Sequence, residues 1–147
     1  MTSDLTLIIP AKNEKESLPI VIDKIKKFDH RITVSLKKDD KETINSIKNI
    51  SNIKIFFQSG KGYGNSLNEA INSCKTKYFC IFNADGSFDP NDLIKMYNLI
   101  ENNDFVFTTR YKYPGGSEDD TFITYIGNQI FSKLGNLFFS LFISDIF

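Results

Sequence analysis

The sequence has few of the residues that would indicate a metal cluster, a disulfide framework or a nucleic-acid partner. Its two cysteines, Cys74 and Cys80, have a spacing that fits neither a zinc pair nor a CxxC redox motif. We interpret them as small hydrophobic residues in a reducing compartment. The single histidine, His30, stands among polar residues, and we expect it in a surface loop. Eighteen basic residues balance eighteen acidic ones, so net charge gives no argument for nucleic acid or an anionic surface.

Long apolar runs and arginines are scarce as well. No apolar stretch reaches the roughly 18 residues of a membrane-spanning helix. Residues 1–4 are polar, and the apolar run at residues 5–10 is too short for a signal peptide. The only arginines are Arg31 and Arg110. Because lysine cannot copy the planar fork of a guanidinium, each arginine is a candidate for a specific role.

Short apolar runs alternate with segments of helical periodicity, which favours an α/β fold. The length suits one domain. We predict a Rossmann-like sandwich in which helices flank a mostly parallel central sheet. The predicted strands are residues 5–10, 31–36, 53–58, 78–82 and 104–109. The first helix is predicted to start in a capping box of Asn13 and Glu16, and the fourth at Asp89 and Pro90.

Ligands of such sheets bind beyond the carboxyl ends of the strands, so the residues after each strand are the candidates for chemistry. Asn83, Ala84 and Asp85 follow the most apolar strand. Oxygen ligands suit Mg²⁺ or Mn²⁺, and a divalent ion would bridge the phosphates of a nucleotide diphosphate. The segment from Asp85 to Ser87 is equally typical of a simple turn. The residues alone leave both interpretations open.

A glycine-rich segment and an arginine follow two other strands. Residues 60–64 read Gly-Lys-Gly-Tyr-Gly, and such a turn before a helix can bring backbone N–H groups to a phosphate. The spacing is neither that of a Walker A loop nor that of a dinucleotide fingerprint, and a tight strand-to-helix connection is the alternative. Arg110 ends the fifth predicted strand. Its guanidinium could hold a phosphate through two parallel hydrogen bonds, or simply lie at the surface.

Five segments spread over nearly the whole chain form a pattern together. They are Leu7 to Glu14, Gly60 to Gly64, Phe82 to Pro90, Thr109 to Tyr111 with Pro114 to Gly116, and Ile126 to Asn128 continuing through Leu134 to Phe138 to Ser144 and Asp145. In this order they resemble glycosyltransferase family 2, in the branch that is similar to dolichol-phosphate mannosyltransferases. The first, third and fourth segments are specific in combination.

The resemblance implies a GT-A fold, a nucleotide-diphosphate-sugar donor, Mg²⁺ or Mn²⁺ as cofactor, and inverting transfer. In this branch the acceptor is often a polyprenyl phosphate, itself an anionic nucleophile that needs little help from a protein base. Asp85 and Arg110 would be the catalytic residues. Asp85, assisted by Asn83, would hold the metal. The donor-binding residues would be Pro10, Asn13, Glu14, Asp39, Lys61 and Asn83.

The sequence departs from the family pattern at three places. Asn83 replaces the first carboxylate of the metal motif, which removes one charge. The usual VDDxSxD signature is missing, and Asp39 or Asp40 stands in for its base-recognising carboxylate. The family also continues beyond the Ser-Asp pair, whereas this chain ends at Phe147, so we expect it to be truncated. Two other functions remain open, a sugar-1-phosphate nucleotidyltransferase and a non-catalytic nucleotide-sugar-binding domain.

The last segment is predicted to be an amphipathic helix. We divide the chain into a nucleotide-sugar-binding core, residues 1–120, and this C-terminal segment, residues 121–147. Its apolar residues form a stripe that is interrupted by polar ones, and we expect about half of the stripe to be buried. We also expect exposed apolar surface near residues 138–147, with weak binding to liposomes or self-association. The expected location is the cytoplasm, with peripheral association at the inner face of the membrane.

Overall fold

The computed structural model describes residues 4–113, 115–116 and 120–145. The chain divides into two compact units, unit 1 ending at Asn91 and unit 2 beginning at Asp92. Each unit is described below by itself. Compactness does not decide where a functional domain ends, so the predicted boundary at residue 120 stays a prediction.

Unit 1 is built on a four-stranded sheet in which every pair of neighbouring strands is parallel. The strands are β1 Leu5–Pro10, β2 Arg31–Leu36, β3 Ile53–Phe57 and β4 Tyr78–Ile81. They stand in the order β3-β2-β1-β4. The core of the sheet lies in β1 and β2, where apolar side chains such as Leu7, Ile9 and Val34 are completely buried. This sheet confirms the predicted α/β fold.

Three helices of unit 1 connect these strands. They are α1 Ser17–Ile25, which continues into a 3-10 turn at Lys26–Phe28, α2 Lys41–Ile47 and α3 Tyr63–Asn72. Crossover connections between parallel strands are right-handed. With the strand order found here, α1 and α2 therefore lie on one face of the sheet and α3 lies on the other. The hydroxyls of Ser35 in β2 and Ser66 in α3 are hydrogen-bonded at 2.8 Å, which marks the face that α3 covers.

The predicted capping box of α1 is wrong. Asn13 adopts a left-handed backbone conformation with φ of 60°, and it turns the chain as it leaves β1. The helix begins only at Ser17, and the residue before it, Glu16, makes no side-chain capping bond. The Ser17 hydroxyl donates instead to the Glu14 carboxylate. The left-handed turn thus occupies the position at which the capping box was expected.

The described residues of unit 2 form two helices, α4 Asp92–Ile100 and α5 Phe122–Phe139. The predicted start of α4 is nearly right, because the Asp89 carboxylate accepts a hydrogen bond from the Asn91 N–H at 2.9 Å, although the regular helix begins at Asp92. The predicted strand at residues 104–109 is wrong. These residues form no regular element, and Phe107 is 65% exposed. A strand needs a bonded neighbour, and the described part of unit 2 contains no other strand.

α5 confirms the predicted C-terminal helix, but its faces are distributed differently. The buried residues are Asn128, Ser132 and Gly135, which are polar or small. The members of the predicted apolar stripe are all exposed, so the expected burial of half the stripe is wrong: Ile123, Ile126, Ile130, Leu134, Leu137 and Leu141. The flanking Phe131, Phe138 and Phe142 are exposed too, and the last two lie in the range for which exposed apolar surface was expected. Residues 146–147 lie outside the described residues.

No helix in the described ranges is both long enough and apolar enough to cross a membrane.

Candidate functional site

The loops that follow β1 and β2 are bound to each other at the carboxyl edge of the sheet. The Asp40 carboxylate caps α2 by accepting from the Thr43 N–H at 3.3 Å, and its other oxygen accepts from the Asn13 N–H at 2.8 Å. The Glu14 N–H donates to the Thr43 hydroxyl at 3.0 Å. Burial raises the pKa of Asp40, but these donors outweigh it and hold the pKa below its ordinary value.

These hydrogen bonds between the two loops, called the clamp below, give the adjacent residues Asp39 and Asp40 different roles. Asp40 is occupied in fixing the backbone, so it is a poor candidate for recognising a base. Asp39 is exposed, and within the described residues its carboxylate makes no hydrogen bond. Asp39 therefore remains the candidate that the sequence suggested. Pro10 ends β1 half-buried beside the same loops, and Asn13 and Glu14 contribute the backbone N–H groups of the clamp.

The segment after β4 forms the turn that one of the two sequence interpretations described. The Asp85 carboxylate accepts from the Ser87 N–H at 2.9 Å, and the Asn83 amide donates to the Ser87 hydroxyl at 3.3 Å. Gly86 has φ of 84°, a conformation that favours glycine. Asp85 is exposed, and only one of its carboxylate oxygens accepts a hydrogen bond within the described residues. The turn therefore presents a carboxylate to solvent at the carboxyl edge of the sheet, where ligands of such folds bind.

The residues of this turn fit a loosely held divalent ion. Within the described ranges no group of three or more histidine, cysteine or acidic residues could hold a metal. Mg²⁺, however, is commonly bound by one or two carboxylates together with water and substrate phosphates. Asp85 with the Asn83 amide oxygen is a donor set of that kind. A metal here would depend on the phosphates of a ligand for most of its remaining coordination.

Tyr63 is a residue of the candidate site that the sequence analysis did not single out. It is the first residue of α3, directly after Gly62, whose φ of 92° only glycine adopts easily. Burial and then the negative charge of Asp85 raise the pKa of Tyr63. α3 therefore begins close to the Asp85 turn. In the sequence, the position of Tyr63 between Gly62 and Gly64 is the only indication of a role in the site.

The glycine-rich loop before α3 binds an internal carboxylate. The N–H groups of Ser59 and Gly60 donate to the Glu69 carboxylate at 2.7 and 2.8 Å, and the Ser59 hydroxyl donates to it at 3.0 Å. Glu69 thus occupies the anion position for which a phosphate was one of the two sequence interpretations. The Lys61 carbonyl accepts from the Asn65 amide at 2.7 Å, and the Lys61 side chain is exposed. Lys61 remains a candidate phosphate contact, but two N–H groups of its loop are already used.

We expect the conformation of this loop to depend on pH through Glu69. The backbone N–H groups of Ser59 and Gly60 hold the pKa of Glu69 below its ordinary value of 4.5. A carboxyl with a lowered pKa in the folded state stabilises it fully above the ordinary pKa, and the contribution is lost as the pH falls through the lowered value. The amide resonances of Ser59 and Gly60 should therefore titrate below pH 4.5.

Two variants of matched charge make this prediction specific. Glu69→Gln should remove the titration of both amide resonances, because the side chain no longer ionises. Glu42→Gln, which changes an exposed carboxylate on α2, should leave it in place. A titration that persists in Glu69→Gln would show that another group controls the loop.

In unit 2, the Arg110 guanidinium is held by Asp145. Arg110 Nε and one terminal nitrogen donate to the two Asp145 oxygens, each at 2.9 Å, and the Arg110 backbone N–H donates at 3.1 Å. The buried amide of Asn128 donates to the same carboxylate at 3.0 Å. Hydrogen bonding to Asp145 raises the pKa of Arg110 further above its ordinary value. The planar fork predicted for a phosphate is therefore engaged with a carboxylate of the chain.

A second carboxylate completes this cluster. Asp120 lies 3.6 Å from Arg110 and accepts a hydrogen bond from the Tyr111 hydroxyl. Arg110, Tyr111, Asp120 and Asn128 line a cleft of about 310 Å³ in unit 2. The structure thus joins family-like segments that are far apart in sequence. Asp145 and Asn128 belong to segments that carry the resemblance, but no sequence pattern indicates that Asp145 binds Arg110.

The comparisons with known proteins indicate the same family that these segments resemble. The sequence model described as "Glycosyl transferase family 2" matches residues 6–142. Proteins named uncharacterized glycosyltransferases, from Mycobacterium bovis and from two strains of Mycobacterium tuberculosis, are each 24% identical to this chain over 112 residues. The matched region is 76% of this chain and 50% of each relative, so the chain spans about half the length of the curated relatives it matches. With a family match over nearly its whole length, the chain belongs to glycosyltransferase family 2.

Proposed function

We propose that the chain binds a nucleotide-diphosphate sugar in unit 1 and takes part in transferring the sugar to an acceptor. The observation that carries this proposal is the arrangement at the carboxyl edge of the sheet. There the clamp of Asn13 and Asp40 fixes one side, and the Asp85 turn presents an exposed carboxylate. Parallel α/β sheets bind nucleotides at this edge.

Each residue of this edge has a proposed role toward the donor. Asp39 recognises the base, and the backbone around Pro10, Asn13 and Glu14 forms the wall beside it. Lys61 contributes positive charge to the diphosphate. Asp85, with Asn83, holds Mg²⁺ or Mn²⁺. Such an ion supplies Lewis-acid stabilisation of the negative charge on the departing nucleotide diphosphate.

The proposed acceptor is a polyprenyl phosphate, as in the branch of the family that the sequence resembles. A phosphate acceptor is already an anionic nucleophile, so inverting transfer would not require a strong protein base. Arg110 is the proposed phosphate contact, and Asp145 keeps its guanidinium in one orientation. The exposed apolar side chains of α5 support a lipid-linked acceptor at the inner face of a membrane.

Labelled nucleotide-diphosphate sugars, offered with Mn²⁺ and a polyprenyl phosphate, would test this function. We expect a labelled lipid product and release of the nucleoside diphosphate. Release of pyrophosphate in the presence of a sugar 1-phosphate and a nucleoside triphosphate would indicate a nucleotidyltransferase instead. Donor binding without either product would indicate a non-catalytic domain.

Thermal unfolding with and without each donor would report binding separately from turnover. A ligand at about 100 times its Kd stabilises the folded state by about 2.7 kcal/mol. We expect stabilisation only when Mn²⁺ and a nucleotide diphosphate are present together. Asp85 and Asn83 provide too few metal ligands by themselves, and the phosphates complete the coordination. Equal stabilisation with and without Mn²⁺ would contradict the metal assignment.

A further inference from the structure

A second cleft lies in unit 1 at the amino ends of the strands, the edge opposite the proposed donor site. It has a volume of about 420 Å³ and three basic residues in its lining, Arg31, Lys54 and Lys75. Among the described residues that line it, none is acidic. Because the whole chain has no net charge, this cleft is a local concentration of positive charge.

Strand register explains why the basic side chains meet. Arg31 is paired with Thr6 of β1, and Lys54 is paired with Thr33 of β2. Paired residues of parallel strands project to the same face, and residues two apart on one strand share that face. Thr6, Arg31, Thr33 and Lys54 therefore form one polar patch. It lies on the α3 side, because Ser35, two residues after Thr33, contacts α3.

The end of α3 leaves this patch open. The helix ends at Asn72, and Lys75 lies in the segment that follows it. Ser35, further along β2, is covered by α3, whereas the patch at the start of the strands borders the cleft. The carbonyl end of α3 carries about half a negative charge, which three full positive charges outweigh.

Thr33 provides an observation that is independent of charge. It is only 6% exposed, it lines the cleft, and its hydroxyl makes no hydrogen bond within the described residues. The neighbouring Thr6 is equally buried, but its hydroxyl is bonded to the Thr76 hydroxyl at 2.7 Å. Among the described residues, only Ser132 has a fully buried polar side-chain atom without a partner, so the Thr33 hydroxyl is within reach of solvent at the cleft. The Thr33 hydroxyl, which has no partner within the described residues, is thus a hydrogen-bond donor available to a ligand in the cleft.

We propose that this cleft binds a phosphate-bearing anion through Arg31, Lys54 and Lys75, with Thr33 as a hydrogen-bond donor. The guanidinium of Arg31 suits two oxygens of one phosphate, and the two ammonium groups suit the remaining charge. Six residues of a strand separate this edge from the donor edge, a distance of about 17 Å. The site is therefore distinct from the proposed donor site, and the proposal does not depend on the transferase activity.

Pyrophosphate, titrated into the ¹⁵N-labelled chain without divalent metal, is the first probe. We expect saturable shifts of the amide resonances of Arg31, Thr33 and Lys54. Arg31→Gln and Lys54→Gln should each weaken the apparent affinity about tenfold or more. Thr33→Val, which keeps the shape and all charges, should weaken it severalfold. Lys24→Gln, which removes the charge of an exposed lysine on α1, should leave the affinity unchanged.

The outcomes separate this site from non-specific and donor-site binding. Shifts confined to the carboxyl-edge loops, or no saturable shifts, would overturn the proposal. A loss of affinity in Lys24→Gln as large as in Arg31→Gln would overturn it too, because binding would then follow total charge. Since no donor is present, a failure of the donor assay has no bearing on this result.

The same variants distinguish the two sources of such a phosphate. Vesicles of phosphatidylcholine, with and without phosphatidic acid, would be sedimented with the protein. Sedimentation that requires phosphatidic acid and is lost in Arg31→Gln would assign the site to a lipid headgroup. Pyrophosphate binding without such sedimentation would assign it to a soluble phosphate ester. Sedimentation that Arg31→Gln leaves unchanged would show that the cleft does not bind the lipid.

Discussion

Replacement of Asp85 by asparagine is expected to weaken Mn²⁺-dependent binding of a nucleotide-diphosphate sugar by at least ~100-fold. Removing even an outer partner of a metal ligand typically costs about 10–100-fold in affinity, and Asp85 is the only carboxylate of the proposed donor set. Asparagine retains an oxygen that can accept from the Ser87 N–H, so the turn should persist. The variant therefore removes the charge and keeps the geometry. Isothermal titration calorimetry with and without Mn²⁺ measures the effect.

The control is a loss of the same charge elsewhere in unit 1. Asp23→Asn changes an exposed carboxylate on α1 and should bind the donor as the original chain does. Thermal unfolding of both variants without ligand should match that of the original chain. Unchanged Mn²⁺-dependent binding in Asp85→Asn would rule out the metal assignment, and the turn would then be purely structural.

Replacement of Asp145 by alanine is expected to destabilise unit 2 by about 2–3 kcal/mol. Removing one partner of a buried ion pair costs about 3–5 kcal/mol, since it leaves an uncompensated charge. The Arg110 side chain is 36% exposed while that of Asp145 is 5% exposed, so water reduces the cost. The buried Asn128 amide also loses its acceptor. Urea unfolding monitored by circular dichroism gives the free-energy difference.

A second substitution separates the charge from the hydrogen bonds. Asp145→Asn retains one acceptor oxygen but no charge, so we expect a smaller loss of stability than in the alanine variant. Glu42→Gln breaks the exposed ion pair with Lys15, 2.8 Å long, and should leave stability close to that of the original chain. If Asp145→Ala were as stable as Glu42→Gln, the Arg110 cluster would not hold unit 2 together.

The sequence predicted the elements that carry a strong local pattern. All four strands of the sheet were predicted within a residue, because short runs of β-branched and apolar residues bounded by polar segments are typical of buried strands. The strand at residues 104–109 has the same local character, yet it forms no ladder. A strand is defined by its neighbour, and the sequence of one segment does not say whether a neighbour is present.

The candidate site was predicted in outline but not in its contacts. The rule that ligands bind at the carboxyl ends of parallel strands located the Asp85 turn and the loop at Asn13 without knowledge of any partner. The partners themselves are far apart in sequence. Asp40 lies 27 positions from Asn13, and Asp145 lies 35 positions from Arg110. No local spacing reports such pairs, so the roles of Asp40, Glu69 and Asp145 emerged only from the structure.

The strand order has a consequence for the way the chain folds during synthesis. β1, β2 and β3 can assemble as soon as α1 and α2 have formed, but β4 pairs with the other edge of β1, where Thr6 and Thr76 are bonded from 70 positions apart. Until β4 pairs with it, β1 has an edge of unpaired backbone N–H and C=O groups between apolar side chains. Such an edge is a template for pairing with another chain. Because contacts so distant in sequence form slowly, the docking of β4 is the step at which misassembly competes with folding. Slow synthesis between α2 and β4 would prolong that interval and lower the yield of correctly folded protein.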